Sequence, residues 1–221
     1  MIKAVIFDLD GTIINSGEGI TKCVQYALKS FGIEEPDLKK LECFVGPPLD
    51  VMFREKYGFS REQAWEGTLK YRERFDKTGI FECELYDGVA DTIRSLKEKG
   101  YYIALASSKP EIACKRILEH FSLTKYFDEI VGATLDGSIS SKQEVLEELG
   151  RRMAQLSITK DEMCLIGDTK FDVIGANQYG IPCIGVSYGF GTKEELNAAG
   201  AVAVFAHIRE VGDYIESNKG F

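Results

Sequence analysis

Ile6-Phe7-Asp8-Leu9-Asp10-Gly11-Thr12 is the stretch that decides how this chain folds and where its chemistry lies. An apolar run ends here and delivers two carboxylates, one residue apart, into a loop that contains glycine. In an extended segment alternate residues share a face, so Asp8 and Asp10 can point toward one place. Two carboxylates at one place repel each other unless a cation or a proton lies between them. The spacing therefore suggests a metal, and such oxygen ligands suit Mg²⁺, although acids followed by glycine also make ordinary turns.

A second apolar run, from Met163 to Gly167, ends in the same way at Asp168, and Asp172 follows four residues later. If a helix begins near Thr169 or Lys170, Asp172 lies in its first turn, where the helix dipole favours an acid. That placement accounts for Asp172 structurally, but it does not account for Asp168. An unpaired charge at the end of a buried strand would be costly, which favours a functional interpretation of Asp168.

Hydroxyl and lysine side chains stand at the ends of two further predicted elements. The run from Tyr101 to Ala106 ends in Ser107 and Ser108, and Pro110 suits the first turn of a helix. The serines can cap that helix, hold a phosphate oxygen at its beginning, or do both. Lys142 opens an amphipathic run and there opposes the helix dipole, which indicates a nearby acid or anion; taken singly, most surface lysines are simply solvated.

Together the four segments are far more specific than any one of them. Asp-x-Asp, Ser, Lys and Gly-Asp-x-x-x-Asp, in that order, resemble the motifs of the haloacid dehalogenase superfamily of phosphohydrolases, from Ile2 to about Ile215. The resemblance implies that Asp8 is the nucleophile and Asp10 the general acid and base. It implies phosphate binding by Gly11, Thr12, Ser107, Ser108 and Lys142, with Lys142 also catalytic. It implies a Mg²⁺ site at Asp8, Asp10, Asp168 and Asp172, in which Asp10 does not need its carboxylate to bind the metal.

Asp10 also discriminates within the superfamily that the chain resembles. Dehalogenase members use no metal and lack this second aspartate. Ion-pump members carry threonine instead, because their aspartyl phosphate must persist. Asp10 therefore favours rapid turnover of a phosphoenzyme, by hydrolysis or by phosphotransfer.

Composition indicates a globular protein of the cytoplasm. The 221 residues are 44% hydrophobic without an uninterrupted apolar run of 18, which fits one domain plus an insertion and no membrane span. A net charge of −8, from 27 basic and 35 acidic residues, argues against binding to a nucleic acid polymer. Six cysteines without a C-x-x-C pair are typical of a reducing compartment. No cleavage-type pattern precedes the first acids, so we expect no signal peptide. We also expect a monomer or a small homo-oligomer.

The order of elements predicts an α/β fold, with a parallel-sheet, Rossmann-like core at 1–14 and 86–221. Residues 15–85 look helical, without a convincing strand, and resemble the helical cap domain of one subclass of the superfamily. Strands are predicted near Ile2–Phe7, Tyr101–Ala106, Glu129–Gly132, Met163, Cys183–Val186 and Val202–Phe205. Ligands bind at the carboxyl ends of such strands, and all four motifs fall there.

The leading hypothesis is a Mg²⁺-dependent phosphatase that hydrolyses small phosphorylated metabolites through an aspartyl phosphate. Tyr188-Gly189-Phe190-Gly191-Thr192 resembles the phosphoglycolate phosphatase group. Phe44-Val45-Gly46-Pro47-Pro48 and the stretch from Tyr71 through Gly88 resemble a 5′-nucleotidase-like group. The sequence does not separate these two groups, because cap loops contact the leaving group.

Two alternatives stay open at this point. A sugar-phosphate mutase of the β-phosphoglucomutase kind would use the same four motifs, although mutases often carry valine where Thr12 stands. A non-catalytic binding protein would usually have lost one of the carboxylates. In either enzyme we expect the cap to select the substrate, with Arg54 and the Gly46-Pro47 loop as contributors; for Arg54, a solvated helix residue is the plainer interpretation.

Overall fold

The computed structural model describes residues 1–217, and the predicted strands form a six-stranded sheet. The six strands of this sheet are β1 (Ala4–Phe7), β4 (Tyr102–Pro110), β5 (Glu129–Ala133), β6 (Met163–Gly167), β7 (Cys183–Val186) and β8 (Ala203–Phe205). Two short strands lie outside it, β2 (Ile14–Asn15) and β3 (Glu84–Leu85). The α-helices are α1 (Gly17–Ser30), α2 (Leu49–Tyr57), α3 (Arg61–Phe75), α4 (Val89–Glu98), α5 (Glu111–His120), α6 (Lys142–Arg152), α7 (Lys170–Tyr179), α8 (Lys193–Ala199) and α9 (Ile208–Ser217). Across residues 1–217, none of the helices combines the length and the apolar character needed to cross a membrane.

The sheet has the strand order β5-β4-β1-β6-β7-β8, and its neighbouring strands run parallel. Every residue of β1, β6 and β7 is buried, as continuous apolar runs predict for a parallel sheet covered on both faces. β1 lies between β4 and β6, so the loop that follows β1 sits at the middle of the carboxyl edge. The α/β fold with a parallel sheet is confirmed.

Apolar packing on the sheet fixes the strand ends that carry the acids. Ala4 and Ile6 of β1 belong to one buried cluster with Val145 and Leu149 of α6. Alternate strand residues share a face, and helix residues four apart do the same, so the two patterns interlock. The ends of β1 and α6 are thereby held in place relative to each other.

The chain divides into two compact units. The core unit comprises Met1–Ile14 and the chain from Leu85 onward, and the helical unit comprises Asn15–Glu84. The last four residues of the predicted core, 218–221, lie outside the described residues.

The helical unit is built from α1, α2 and α3 with 3₁₀ helices at Leu38–Phe44 and Gly79–Phe81. Helix α2 begins directly after Pro48 and ends at Tyr57, where Gly58, with a φ of 66°, forms the C-cap. Phe53 packs its ring against Phe44 and Phe59, with ring centroids 5.1 and 5.6 Å away. These aromatic rings supply an apolar centre to a unit whose helix α3 is otherwise rich in charge.

Two local expectations are wrong. Pro110 does not lie in the first turn of α5: it is the last residue of β4, with an extended backbone (φ −52°, ψ 133°). Ser107 and Ser108 do not cap α5, which begins without a side-chain cap, because β4 continues past its predicted end at Ala106. The helical insertion also has a two-residue strand at each end, where no strand was expected: β2 ends at Asn15 and β3 begins at Glu84.

Candidate active site

Three buried carboxylates meet at the carboxyl edge of the sheet. Asp8 directly follows β1 and Asp168 directly follows β6, its neighbour in the sheet, while Asp172 lies in the first turn of α7. One oxygen from each of the three lies within 4.8 Å of the others. The main-chain N–H of Asp8 donates to the carbonyl of Ile166 at 2.9 Å, which continues the β1–β6 pairing up to the acid itself. The first aspartate of the opening motif and both aspartates of the second, which begins 160 residues later in sequence, therefore form one cluster.

Lys142 is the cation of this cluster. Its Nζ lies 2.6 Å from Oδ1 of Asp8 and 2.9 Å from Oδ1 of Asp172, and it also donates to the carbonyl of Ala106 at 2.7 Å. These partners explain a lysine at the beginning of a helix, and the predicted nearby acid is present. Gly175 of α7 leaves room for the side chain, because a Cβ there would stand 2.6 Å from Cβ of Lys142.

The charges in the cluster do not balance. Burial, together with Asp172 and Asp10, raises the pKa of Asp8 to about 7 despite the opposing effect of Lys142. Burial, together with Asp172 and Asp8, raises the pKa of Asp168 well above its usual range. Burial alone would lower the pKa of Lys142, but the carboxylates of Asp172 and Asp8 outweigh it and raise it. The site thus holds more negative charge than its lysine neutralises and favours a further cation.

Asp168 is held by the loops that follow β1 and β7. The hydroxyl of Thr12 donates to its Oδ1 at 3.1 Å, and the main-chain N–H of Phe190 donates to its Oδ2 at 2.8 Å. Gly11, with a φ of +85°, and Gly189 approach so closely that a Cβ at either would stand 2.0 or 2.3 Å from Oδ2. Only glycine fits at these two positions, and together they leave a narrow cradle around the carboxylate.

Asp172 belongs both to the beginning of α7 and to the acid cluster. Its Oδ2 accepts hydrogen bonds from the main-chain N–H of Thr169 at 3.0 Å and from the Thr169 hydroxyl at 2.8 Å, which closes the first turn of α7. Its Oδ1 is left to face Lys142. Because one oxygen belongs to the helix and the other to the cluster, the carboxylate cannot rotate away without losing the cap.

Asp10 stands apart from the three clustered acids. Its Oδ2 lies 3.0 Å from Nζ of Lys109 on β4, and both side chains are about nine-tenths buried. The group of acids whose oxygens converge contains Asp8, Asp168 and Asp172, and the carboxylate of Asp10 lies outside it. The two aspartates of the opening motif thus face different cations.

The predicted phosphate-binding serines lie at the end of β4. Ser107 is buried, and its hydroxyl accepts a hydrogen bond from the main-chain N–H of Lys109 at 3.3 Å. Ser108 is half-buried in the irregular part of β4, between Ser107 and Pro110. Gly11 and Thr12 lie beside Asp168. Ser107 therefore lies on the strand that neighbours β1, which Asp8 follows.

Comparison with known proteins identifies the family. The model of the haloacid dehalogenase-like hydrolases matches residues 5–186. The chain belongs to this family. It is therefore a hydrolase of the phosphatase type, and the resemblance of its four motifs to this superfamily is confirmed.

Relatives of this hydrolase span nearly its whole length. A 5′-nucleotidase of Pseudomonas aeruginosa is 39% identical over 214 residues, which are 97% of this chain and 96% of the relative. Tyrosine-protein kinase PtkA of Mycobacterium tuberculosis is 34% identical over 202 residues, 91% of this chain and 68% of the relative. A phosphoglycolate phosphatase of Yersinia pestis is 27% identical, covering 95% and 91%.

A solved structure shows the same architecture. The crystal structure of a "predicted phosphatase" from Clostridium acetobutylicum is 44% identical, covers 99% of this chain and 100% of its own, and superposes with a TM-score of 0.93.

Two features of this hydrolase's site could not be predicted from its sequence. Lys109 follows the two serines in sequence, but their pattern assigns it no role, because its encounter with Asp10 depends on the course of β4. Tyr188 donates its hydroxyl hydrogen to the carbonyl of Thr12 at 2.7 Å and so braces the nucleophile loop. Its segment had a signal, since Tyr188-Gly189-Phe190-Gly191-Thr192 resembled a family motif, but nothing in the spacing indicated which loop it would contact.

The acid cluster fits a hard divalent cation. Its donors are carboxylate oxygens, which Mg²⁺ prefers, and they are buried and converge. Neighbouring main chain approaches Asp168 without a side chain in the way at Gly11 or Gly189. Asp8, Asp168 and Asp172 are the residues that would hold such an ion.

Proposed function

We propose that this hydrolase is a Mg²⁺-dependent phosphatase of small phosphomonoesters that acts through an aspartyl phosphate on Asp8. The observation that carries the proposal is the buried cluster of Asp8, Asp168 and Asp172 around Lys142 at the carboxyl edge of the sheet. A phosphate dianion repels an anionic nucleophile, so the site needs more positive charge than the lysine brings. When bound, Mg²⁺ supplies that charge to the phosphoryl oxygens and their surroundings.

In the first half-reaction Asp8 is the nucleophile. One of its carboxylate oxygens attacks phosphorus while the bond from phosphorus to the ester oxygen breaks, and the electron pair stays on that oxygen. Asp10 delivers a proton to it, so the alcohol leaves in neutral form. Lys142, which already contacts Asp8, shares the charge of the phosphoryl group, and we propose the same role for the buried Ser107 hydroxyl.

In the second half-reaction water replaces the alcohol. Asp10, now a carboxylate, takes a proton from water as the water oxygen bonds to phosphorus. The acyl-phosphate bond breaks and Asp8 is released together with inorganic phosphate. Over both halves, one ester and one water give one alcohol and one phosphate, and Asp8 and Asp10 return to their starting forms.

Nucleoside 5′-monophosphates are the first substrate class that we propose, and phosphoglycolate the second. The former rests on the name of the Pseudomonas relative at 39% identity, the latter on that of the Yersinia relative at 27%. The core motifs recognise phosphate and metal, so we propose that the helical unit acts as a cap and reads the leaving group. Arg54 is exposed on α2 in a shallow pocket with Val51 and Phe59, which suits a contact with a charged ligand as well as a solvated surface.

We place the protein in the cytoplasm, as a monomer or small homo-oligomer. All six cysteines are present as thiols, four of them buried, which agrees with a reducing compartment. Its partners are small phosphorylated metabolites.

A phosphate-release screen tests the proposal. Purified protein is given nucleoside 5′-monophosphates, phosphoglycolate, glucose phosphates and a tyrosine-phosphorylated peptide, each with Mg²⁺ and with a chelator. We expect release that requires Mg²⁺ and is fastest on a nucleotide. Activity that survives the chelator would contradict the metal site, and release from none of the esters would contradict the phosphatase itself.

The same screen separates the alternatives. A mutase would convert one sugar phosphate into another while releasing little phosphate, and product analysis would reveal it. Because the Mycobacterium relative is named a tyrosine-protein kinase, phosphotransfer to a protein is a further alternative, and an assay with labelled ATP would reveal it. The intact set of four acids favours catalysis over a binding role. Replacing the helical unit by that of the phosphoglycolate phosphatase should carry substrate preference with it; an unchanged preference would place specificity in the core.

A further inference from the structure

Lys109 and Asp10 form a buried ion pair that the steps above leave unexplained. Nζ of Lys109 lies 3.0 Å from Oδ2 of Asp10, and the side chains are 7% and 10% exposed. Exposed ion pairs contribute little and are easily lost, but a buried one is kept at a desolvation cost. A buried lysine beside the general acid and base therefore calls for a role.

An irregularity in β4 places this lysine. Ser107 pairs with Gly132 of β5, and Pro110 pairs with Ala133, so two residues of β4 are extra between neighbouring residues of β5. Such bulges redirect side chains and occur often beside active sites. Gly132 makes this bulge possible, because a Cβ there would stand 2.6 Å from the carbonyl oxygen of Lys109.

The second oxygen of Asp10 differs from the first. Oδ1 is buried, and within residues 1–217 it has no hydrogen-bond partner. A buried carboxylate oxygen without a partner is costly. One oxygen of Asp10 is therefore held by the protein, and the other is available to a ligand.

We propose that Lys109 is a positioning residue that dictates which oxygen of Asp10 carries the catalytic proton. A lysine ammonium group only donates hydrogen bonds, so Oδ2, which faces it, cannot also present a proton in that direction. The proton of the acid form must lie on Oδ1, the oxygen without a protein partner. The inference rests on the proposed phosphatase function and assigns the orientation of its general acid.

The chemistry follows from that orientation. As the bond from phosphorus to the ester oxygen breaks, the proton on Oδ1 of Asp10 passes to that oxygen, and the electron pair of the O–H bond remains on Oδ1. In the second half-reaction Oδ1 takes a proton from the attacking water. Lys109 keeps its own protons throughout, so it enters neither balance and touches no reacting atom.

Two other roles make different predictions. If Lys109 contacted the phosphoryl group directly, its removal would slow every ester by a similar factor, since the phosphoryl group is common to all. If the pair only stabilised the fold, removal would lower stability and leave the relative rates of different esters unchanged. A dependence on the leaving group distinguishes positioning of the acid from both.

The experiment compares two esters of similar shape in Lys109→Met. Phenyl phosphate releases a phenol with a pKa of about 10, which benefits from protonation as it leaves. 4-Nitrophenyl phosphate releases a far more acidic phenol that leaves without help. The ratio kcat/KM reports the steps up to departure of the alcohol, and therefore isolates the proton transfer of the first half-reaction.

We expect Lys109→Met to lower kcat/KM for phenyl phosphate by about 10- to 100-fold, and for 4-nitrophenyl phosphate by less than about 3-fold, because general acid catalysis is worth 10²–10⁴. Asp10→Asn should show the same selectivity with larger losses. Lys109→Arg keeps a cation at this position and should recover part of the loss on phenyl phosphate. Lys115→Met, which removes an exposed ion pair with Glu111 one turn into α5, is the matched control and should change neither ester.

Equal losses on the two esters would overturn the proposal. In an Asp10→Asn background we expect Lys109→Met to have almost no further effect on either ester, because Lys109 acts through Asp10. Additive losses in the double variant would also overturn the proposal. Circular dichroism establishes that each variant is folded, and if Lys109→Met is not, Lys109→Gln carries the same comparison. A wild-type protein without activity on any phosphate ester would overturn the proposed function, whereas an active wild type with equal losses overturns the role of Lys109 alone.

Discussion

The core unit buries a group of charged side chains, whereas the helical unit keeps its charged side chains nearer the surface. In the core unit the buried ionisable groups include Asp8, Asp10, Lys142, Asp168 and Asp172, all at one edge of the sheet. Among the described residues of the helical unit, the buried polar side chains are the hydroxyls of Ser16, Thr21 and Thr68. Its charged residues form ion pairs nearer the surface, such as Lys70–Glu73 and Arg74–Glu82.

The difference shows what each set of charges is for. Burying like charges costs free energy, so a fold that concentrates acids at one place retains them for chemistry and not for stability. Surface ion pairs are cheap, and they can tie helices together without any reactivity. Substitutions in the two units should therefore separate activity from stability in opposite ways.

The largest effect should come from Asp8→Asn. The amide cannot attack phosphorus, although its carbonyl oxygen can still accept from Lys142, so the fold should persist while turnover falls by at least about 10⁴-fold. Phosphate release and circular dichroism measure the two quantities. Asp91→Asn, which alters an exposed acid of α4, is the control. Substantial activity in Asp8→Asn, or a fluoride-trapped adduct on another residue, would contradict the assignment.

Lys142→Ala should lower activity by about 10²–10³-fold, the scale of losing one electrostatic contact to the reacting group. The factor should be similar for every substrate, because the lysine faces Asp8 and Asp172 and not the leaving group. Rates on a nucleotide, a sugar phosphate and an aryl phosphate provide the measurement. A loss confined to one of them would move Lys142 into the specificity pocket.

Asp168→Asn should raise the Mg²⁺ concentration needed for half-maximal activity by about 10- to 100-fold. It should also stabilise the metal-free protein by about 1–2 kcal/mol, because it removes one buried negative charge while its amide can still satisfy Thr12 and Phe190. Thermal unfolding with and without Mg²⁺ measures both, since the ion should raise the Tm of the wild type more than that of the variant. If Asp168→Asn is less stable than the wild type in chelator, repulsion among the buried carboxylates does not destabilise the metal-free protein.

The smallest effect on chemistry should come from Arg74→Met in the helical unit. The guanidinium contacts Glu82 through two nitrogens, at 2.6 and 3.0 Å, and both side chains are about one-fifth exposed. Its loss should reduce the free energy of unfolding by about 1–2 kcal/mol. The rate on an aryl phosphate should stay within a factor of about 3. Lys70→Met, at the exposed pair with Glu73, is the control and should cost less than about 0.5 kcal/mol.

The acids and Lys142 could be predicted from sequence because each stands next to a strand or helix end that apolar periodicity locates. Asp8 and Asp168 follow apolar runs, and parallel strands bring their carboxyl ends to one edge. The helical insertion was visible as an interruption of the strand–helix alternation. These inferences need only local pattern and chain order.

Lys109 could not be predicted in the same way. Its position follows from two extra residues in β4 and from the missing side chain at Gly132, a contact between strands about 23 residues apart in sequence. Nor could the end of β4 at Pro110, since a proline after serines reads equally well as the first turn of a helix. Both depend on how neighbouring strands fit together, which a single chain segment does not encode.

The central place of β1 in the sheet has a consequence for how the protein is made. Ala4 pairs with Tyr102 on one side and with Met163 on the other. During synthesis β1 therefore emerges from the ribosome well before β4 and β6, and its apolar residues have no strand to pair with until those strands follow. Contacts this distant in sequence slow folding and leave an unpaired strand edge open to aggregation. We expect the nascent chain to depend on chaperones until β6 has emerged.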